Sequence, residues 1–263
     1  MSVPSQVIAG LVVLLAWWLS TGLVLGLVWQ PERRHRGILA AASVLGAAAA
    51  FAALWSSREA TVLGAYVGFA ASLMLWAWHE LAFLLGIVTG PNKGPCPAEA
   101  HGWTRFVAAT ATLIHHEVAL ASTLALLTAA TWASPNHVAA GTFAVLWTMR
   151  LSSKLNLFLG VRNVTVEFVP EKLRHLVTYF GRRRSNPLMP IALAGSSCVL
   201  ALLVDRAVRT GESPHAEVAA TLLATLLALA VLEHLFLCMP LSEAALWRWA
   251  LPGRTPTTKR EEP

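Results

Sequence analysis

Residues 7–29 read VIAGLVVLLAWWLSTGLVLGLVW, 23 consecutive positions without an ionisable side chain. A helix needs about 20 mostly apolar residues to cross the roughly 30 Å hydrocarbon layer of a bilayer, so this stretch is long enough to span one. It is not read as a cleavable signal sequence, because no basic n-region precedes it and it outruns the apolar core of such signals. Six further apolar runs follow, at 38–55, 60–88, 106–132, 138–160, 188–204 and 217–239. Helices are expected rather than strands, because lipid offers an unpaired backbone no partner. Stretches such as 11–15 and 226–232 also lack the alternation of a barrel strand. The fold class read from the sequence is all-α, a polytopic membrane bundle of seven transmembrane helices. It forms a single domain over residues 1–250, with a cytoplasmic loop at 161–187 and a flexible cytoplasmic tail at 251–263.

Composition agrees. The chain has 263 residues, 56% hydrophobic and 13% charged, with a mean hydropathy of +0.59. A soluble domain carries about 25% charge, so this chain lacks the polar surface such a domain needs. Disorder, collagen-like repeats and a secreted disulfide scaffold are excluded on the same grounds. The cysteines Cys96, Cys198 and Cys238 form no C-x-x-C pair, so neither a disulfide nor a zinc site is expected. Paired small residues, Gly22 with Gly26 and Gly64 with Gly68, suit close helix packing.

Lysine and arginine set the expected orientation. Loops after the first, third and fifth spans carry Arg33, Arg34 and Arg36, then Lys93 and Arg105, then Arg162, Lys172, Arg174, Arg182, Arg183 and Arg184; the C-terminal tail adds Arg248, Arg254, Lys259 and Arg260. The opposite side holds Arg58, Arg206 and Arg209. This asymmetry predicts an exterior N-terminus and a cytoplasmic C-terminus. The net charge of +6 then belongs to the cytoplasmic face, where it meets anionic lipid. No nucleic-acid motif accompanies it, and no nucleic-acid partner is expected.

Ionisable groups inside a span cost roughly 2.5–3.5 kcal/mol each on insertion scales, so they carry the most information. The third span holds His79 and Glu80, and the fourth His115, His116 and Glu117. The fifth holds Arg150, Lys154 and Asn156, and the seventh Glu233 and His234. Counting residues to the cytoplasmic span ends places these groups about 9–15 Å deep, at nearly one level. Three carboxylates and two cations at that level predict a common polar cluster.

Three readings of the cluster compete: a structural hydrogen-bonded network, a ligand site, and a metal site. In the ligand site, an imidazole coordinates a tetrapyrrole's magnesium. Four His and three Glu suit iron or another divalent metal by ligand type. Adjacent His-Glu pairs, however, lie about 100° apart on a helix, unlike the Glu-x-x-His of di-metal bundles. The H-E-x-x-H pattern is absent, since Phe83 stands where the second His belongs. No catalytic residue is identified. Trp76, His79, Glu80 and Phe83 form an i, i+3, i+4, i+7 stripe, and Trp78 and Trp147 lie near the same level; flat indoles line a pocket or simply pack. Trp29, Trp55, Trp103, Trp132, Trp247 and Trp249 sit near span ends and read as interfacial anchors.

In the 161–187 loop, Leu173, Leu176, Val177 and Phe180 recur at i, i+3, i+4 and i+7 after Pro170. That pattern predicts a short amphipathic helix lying in the membrane interface, with Arg182, Arg183 and Arg184 on anionic headgroups or docked on a partner protein.

Several stretches together resemble the PuhE-type photosynthetic complex assembly proteins of purple bacteria. They are Trp78-His79-Glu80 through Thr89-Gly90-Pro91; His115-His116-Glu117; Ser153-Lys154-Leu155-Asn156-Leu157-Phe158-Leu159-Gly160-Val161-Arg162-Asn163; Glu167-Phe168-Val169-Pro170; Tyr179-Phe180; Asn186-Pro187-Leu188-Met189-Pro190; and Glu233-His234-Leu235-Phe236, with Pro240 and Leu246-Trp247-Arg248-Trp249. The likeness runs from the third span onward and is most specific between Lys154 and Pro190; the first two spans match only as apolar segments. It implies the cytoplasmic or intracytoplasmic membrane of an anoxygenic phototroph. It also implies a part in building the reaction centre and light-harvesting complex, linked to bacteriochlorophyll supply. Complex subunits or pigment-biosynthesis enzymes are the partners it implies. Joined to the cluster, the expected function is an assembly factor holding (bacterio)chlorophyll or a precursor in a His/Glu-lined pocket. The alternative is a membrane metalloenzyme with a His/Glu metal site acting on a tetrapyrrole or a lipid. A third, interaction-only reading puts the working surface on the 161–187 loop.

Overall fold

The computed structural model describes residues 4–164, 166, 169–209, 213–239, 246–247 and 249–250. Among them there is no strand, and the elements are α1 (Ser5–Val28), α2 (Glu32–Ser57), α3 (Val62–Leu84), α4 (Gly102–Thr110), α5 (Ile114–Thr131), α6 (Val138–Leu159), a 3-10 helix (Glu171–Tyr179), α7 (Leu188–Val208) and α8 (Pro214–Cys238). The expected tail at 251–263 lies outside the described residues. Five helices, α1, α2, α3, α7 and α8, are long and apolar enough to cross a membrane, and α4 with α5 makes a sixth if the bent pair is one span. Helix α6, with Arg150 and Lys154 on it, is not among them. The chain therefore shows five to six candidate spans where seven runs were expected.

The run at 106–132 is the largest departure. Instead of one helix it forms α4 and α5, bent by 67°. At the break the Thr112 hydroxyl donates to the Ala109 carbonyl at 2.6 Å, the kind of local bond that competes with a helical ladder. The loop after α3 takes up the backbone groups that the break releases: Thr89 O accepts from His116 N at 3.1 Å, and Asn92 N donates to Ala111 O at 3.0 Å. That loop reverses at Gly86, φ +74°, a left-handed conformation open to glycine at a helix C-terminus. Helix α3 accordingly stops at Leu84 rather than at residue 88.

Helix α3 is the centre of the bundle, touching α1, α2, α5, α6 and α8, whereas α7 leans mainly on α8. Two apolar clusters flank it. One joins Ala9, Val13, Phe69, Val218 and Leu222; the other joins Ala53, Leu75, Leu120 and Phe143. Gly68 allows the close approach of α6: a Cβ there would stand 3.3 Å from Ala139 N. Gly22 and Gly26 serve differently. A Cβ on Gly22 would collide with the Trp249 ring, so this small-residue face receives the chain after α8 rather than another helix.

The sequence predicts an amphipathic helix after Pro170, and the structure forms one with 3-10 rather than α geometry. Three residues per turn align Leu173, Leu176 and Tyr179 on one side. Leu173 and Tyr179 are buried. The Tyr179 hydroxyl accepts from Asn92 Nδ2 at 2.9 Å and donates to Gly94 O at 3.2 Å. Arg105 donates to the carbonyls of Phe158 (3.1 Å) and Tyr179 (2.6 Å). Part of the apolar side of this helix, Leu173 and Tyr179, is thus turned onto the protein. Beyond it, Asn186 binds Gly160 O through Nδ2 (2.8 Å) and caps α7 by accepting from Leu188 N (3.0 Å) and Met189 N (3.1 Å). Asn186→Ala is expected to cost about 1–2 kcal/mol, seen as a lower Tm in detergent; an unchanged Tm would deny the cap its role.

Candidate functional site

The polar groups of α3, α5, α6 and α8 gather toward one end of the bundle. Lys154 Nζ lies 2.6 Å from Glu117 Oε1, and the Trp147 indole N–H donates to Glu117 Oε2 at 3.1 Å. Phe83 lies under the Lys154 ammonium, 5.3 Å from its ring centroid, and stacks on the His116 ring at 4.5 Å. Glu80 stands 3.6 Å from both Arg150 Nη2 and His116 Nε2, too far for direct hydrogen bonds. Across the bundle, Trp17 Nε1 donates to Glu233 Oε1 at 2.8 Å. Glu117, in the first turn of α5, also meets the positive end of that helix's dipole.

Two cavities adjoin this network. An inner one of about 230 Å³ is walled by α1, α3, α6 and α8, with Trp17, Trp76, Glu80, Arg150, Glu233 and Trp247 in its lining. An outer one of about 240 Å³ lies beneath the 3-10 helix, lined by Phe83, Lys154, Phe158, Leu173, Leu176 and Tyr179 among others. Leu84, Arg150 and Glu233 border both. The Arg150 side chain is 47% exposed, and it borders both spaces while facing Glu80.

The structure brings Glu80, His116, Glu117, Arg150, Lys154 and Glu233 into this region. It does not bring in all the imidazoles. His79 Nε2 lies 2.9 Å from Thr123 Oγ1. His234 is held between Ala230 O (2.9 Å) and Ser152 Oγ (3.0 Å). His115 is exposed. No histidine is among the lining residues of these two cavities. Among the described residues, no three His, Cys, Asp or Glu side chains are placed to hold a metal ion. Asn156 is fully buried, donating to Ser152 O at 2.9 Å. Arg182, Arg183 and Arg184 are exposed.

Three participants escaped the sequence reading. Trp17 sits in what looks like a generic apolar span, and Ser152 and Thr123 look like ordinary small residues; only neighbouring helices give them partners. Trp247, expected as an interfacial anchor, is instead 4% exposed. Its ring meets Trp17 at 5.1 Å and 72°, and its N–H donates to Trp18 O at 3.1 Å. Trp249 touches Trp18 at 5.4 Å but stays 54% exposed. Trp29, Trp55, Trp103 and Trp132 are exposed near helix ends.

The family described as "Protein of unknown function (DUF3623)" matches residues 3–258. A Rhodobacter capsulatus protein described as "Uncharacterized 30.4 kDa protein in puhA 5'region" is 36% identical over 253 residues, covering 94% of this chain and 91% of its own length. No solved structure matches.

Proposed function

This chain belongs to the DUF3623 family, and from that premise we propose that it is a multi-pass membrane factor for assembling the bacterial photosynthetic reaction centre and light-harvesting complex. The observation that carries the reading is the relative's position beside puhA, a reaction-centre gene. The buried charge network supports it, since charges inside membrane helices cost free energy to retain and mark ligand or transport sites by default.

In this proposal the protein crosses the bacterial inner membrane seven times, N-terminus outside and C-terminus in the cytoplasm. Helix α6 is then a span whose Lys154 and Arg150 are tolerated because Glu117 and Glu80 face them. The positive-inside count supports the orientation. A reporter active only on the exterior, fused after Pro263, is expected to stay silent; activity there would invert the topology.

The pigment or its precursor is held in the outer cavity, against Phe83, Phe158, Leu173 and Leu176, with Arg150 and Lys154 receiving its carbonyl or carboxylate oxygens. At about 240 Å³ the cavity is below the roughly 300–1,000 Å³ of most small-molecule sites. The 3-10 helix therefore swings outward to admit a macrocycle, and Arg182, Arg183 and Arg184 just beyond it contact headgroups or a partner subunit. Gently purified protein is expected to carry tetrapyrrole absorbance, and Arg150→Met to lose most of it. Protein without pigment that also fails to take up added pigment would end the ligand part of the reading. If complex assembly instead fails when Arg182–Arg184 become alanine, while Arg150→Met assembles normally, the loop is the working surface.

A further inference from the structure

The inner cavity has an electrostatic feature that the outer one lacks. Within the cluster, Glu117 is matched by Lys154 at 2.6 Å. Among the described residues, that leaves two carboxylates, Glu80 and Glu233, on the inner cavity's wall beside Arg150. A buried excess charge is costly unless it is neutralised or paired, so a further positive charge at this wall would be favourable. Glu80 adds a sign of incompleteness. Its side chain is more than nine-tenths buried, Arg150 Nη2 and His116 Nε2 stand at 3.6 Å, and its Oε1 has no hydrogen-bond partner among the described residues.

The rest of the wall is aromatic. Trp17, Trp76 and Trp247 all line the cavity, and the Trp17 and Trp247 rings meet edge to face at 72° with centroids 5.1 Å apart. An indole face attracts a cation through its quadrupole, and indoles set at angles around a carboxylate suit a bulky, weakly hydrated ammonium group. Apolar neighbours such as Leu25, Leu73 and Leu226 leave room for an alkyl substituent.

We propose that the inner cavity binds an organic ammonium group carried on an apolar body, held by Glu80 and Glu233 within the walls of Trp17, Trp76 and Trp247. The bound cation supplies that further positive charge. Of the neighbouring imidazoles, His116 faces Glu80, while His79 and His234 are directed to hydroxyls. This goes beyond the pigment reading and concerns the inner chamber, which shares Leu84, Arg150 and Glu233 with the outer one but alone holds Glu80 and Trp76.

The test uses full-length protein in nanodiscs, with butyltrimethylammonium as the probe and its uncharged isostere, in which carbon replaces nitrogen, as the control. Saturable quenching of tryptophan fluorescence by the cation alone is expected. Trp76→Leu and Glu233→Gln are each expected to weaken binding roughly tenfold, and Trp76→Phe to retain most of it. The aromatic variant separates a cation contact from simple filling of space. Equal binding of cation and isostere overturns the proposal. So does the absence of saturable binding to folded wild-type protein, or unchanged affinity in both Trp76→Leu and Glu233→Gln. Pigment absorbance at the outer cavity is read separately, so either proposal can fail while the other stands.

Discussion

Lys154→Met is expected to lower the stability of the folded protein by about 3–5 kcal/mol, the usual cost of stranding one partner of a buried ion pair. The Lys154 and Glu117 side chains are 17% and 12% exposed, so solvent screens the pair weakly. Without the ammonium, Glu117 keeps only the Trp147 N–H at 3.1 Å and the dipole of α5, and its other oxygen has no cation. Phe83 also loses the charge above its ring. The double variant Glu117→Gln with Lys154→Met is expected to recover most of the loss, because removing both charges removes the desolvation penalty with them. Thermal unfolding in detergent, with the double-mutant cycle completed, measures both. A single-variant loss below about 1 kcal/mol, the value of a surface pair, would mean that the pair is solvated.

The second large effect is expected at Gly90. A Cβ there would meet Ala111 O at 2.1 Å and the Thr112 carbonyl carbon at 2.7 Å. Both are backbone atoms, which cannot rotate aside as a side chain can. Gly90→Ala must therefore push the post-α3 loop away from the α4–α5 break, stretching the bonds from His116 N to Thr89 O and from Asn92 N to Ala111 O. The expected loss is about 1–3 kcal/mol or more, as for overpacking generally. It should be accompanied by rearrangement around His116 and Glu80, which the same loop positions. Gly37→Ala is the control: it lies in α2 with nothing within 4 Å of its Cβ, and the alanine is expected to stabilise the helix by up to about 1 kcal/mol. Gly90→Ala with stability equal to wild type would show that the loop and the break are not in contact.

These expectations rest on parts of the molecule that the sequence reveals unequally. The C-terminal halves of α3, α6 and α8 carry charged residues that the sequence singles out at nearly one depth. Which cation meets which carboxylate does not follow from depth. Glu80 and His79 are neighbours in sequence, yet 100° of helical rotation sends one toward Arg150 and the other toward Thr123. Similarly, the apolar spacing after Pro170 announces a helix, but not that its pitch brings Tyr179 into line or that part of its apolar side faces the protein. The break at residues 111–113 left no clear mark in an apolar run; it is stabilised by a loop arriving from another part of the chain.

The sequence by itself determined that this is an apolar, helical chain suited to a membrane, and which of its helices carry charge. Burial in lipid is close to a residue-by-residue sum, so local composition is enough to read it. Only the tertiary structure decided the Lys154–Glu117 pairing, the engagement of His79 and His234 by hydroxyls, the bend between α4 and α5, and the inward seat of Trp247. Each of these depends on how a helix is rotated about its axis and on what its neighbours place opposite, and both are settled by packing across the whole bundle.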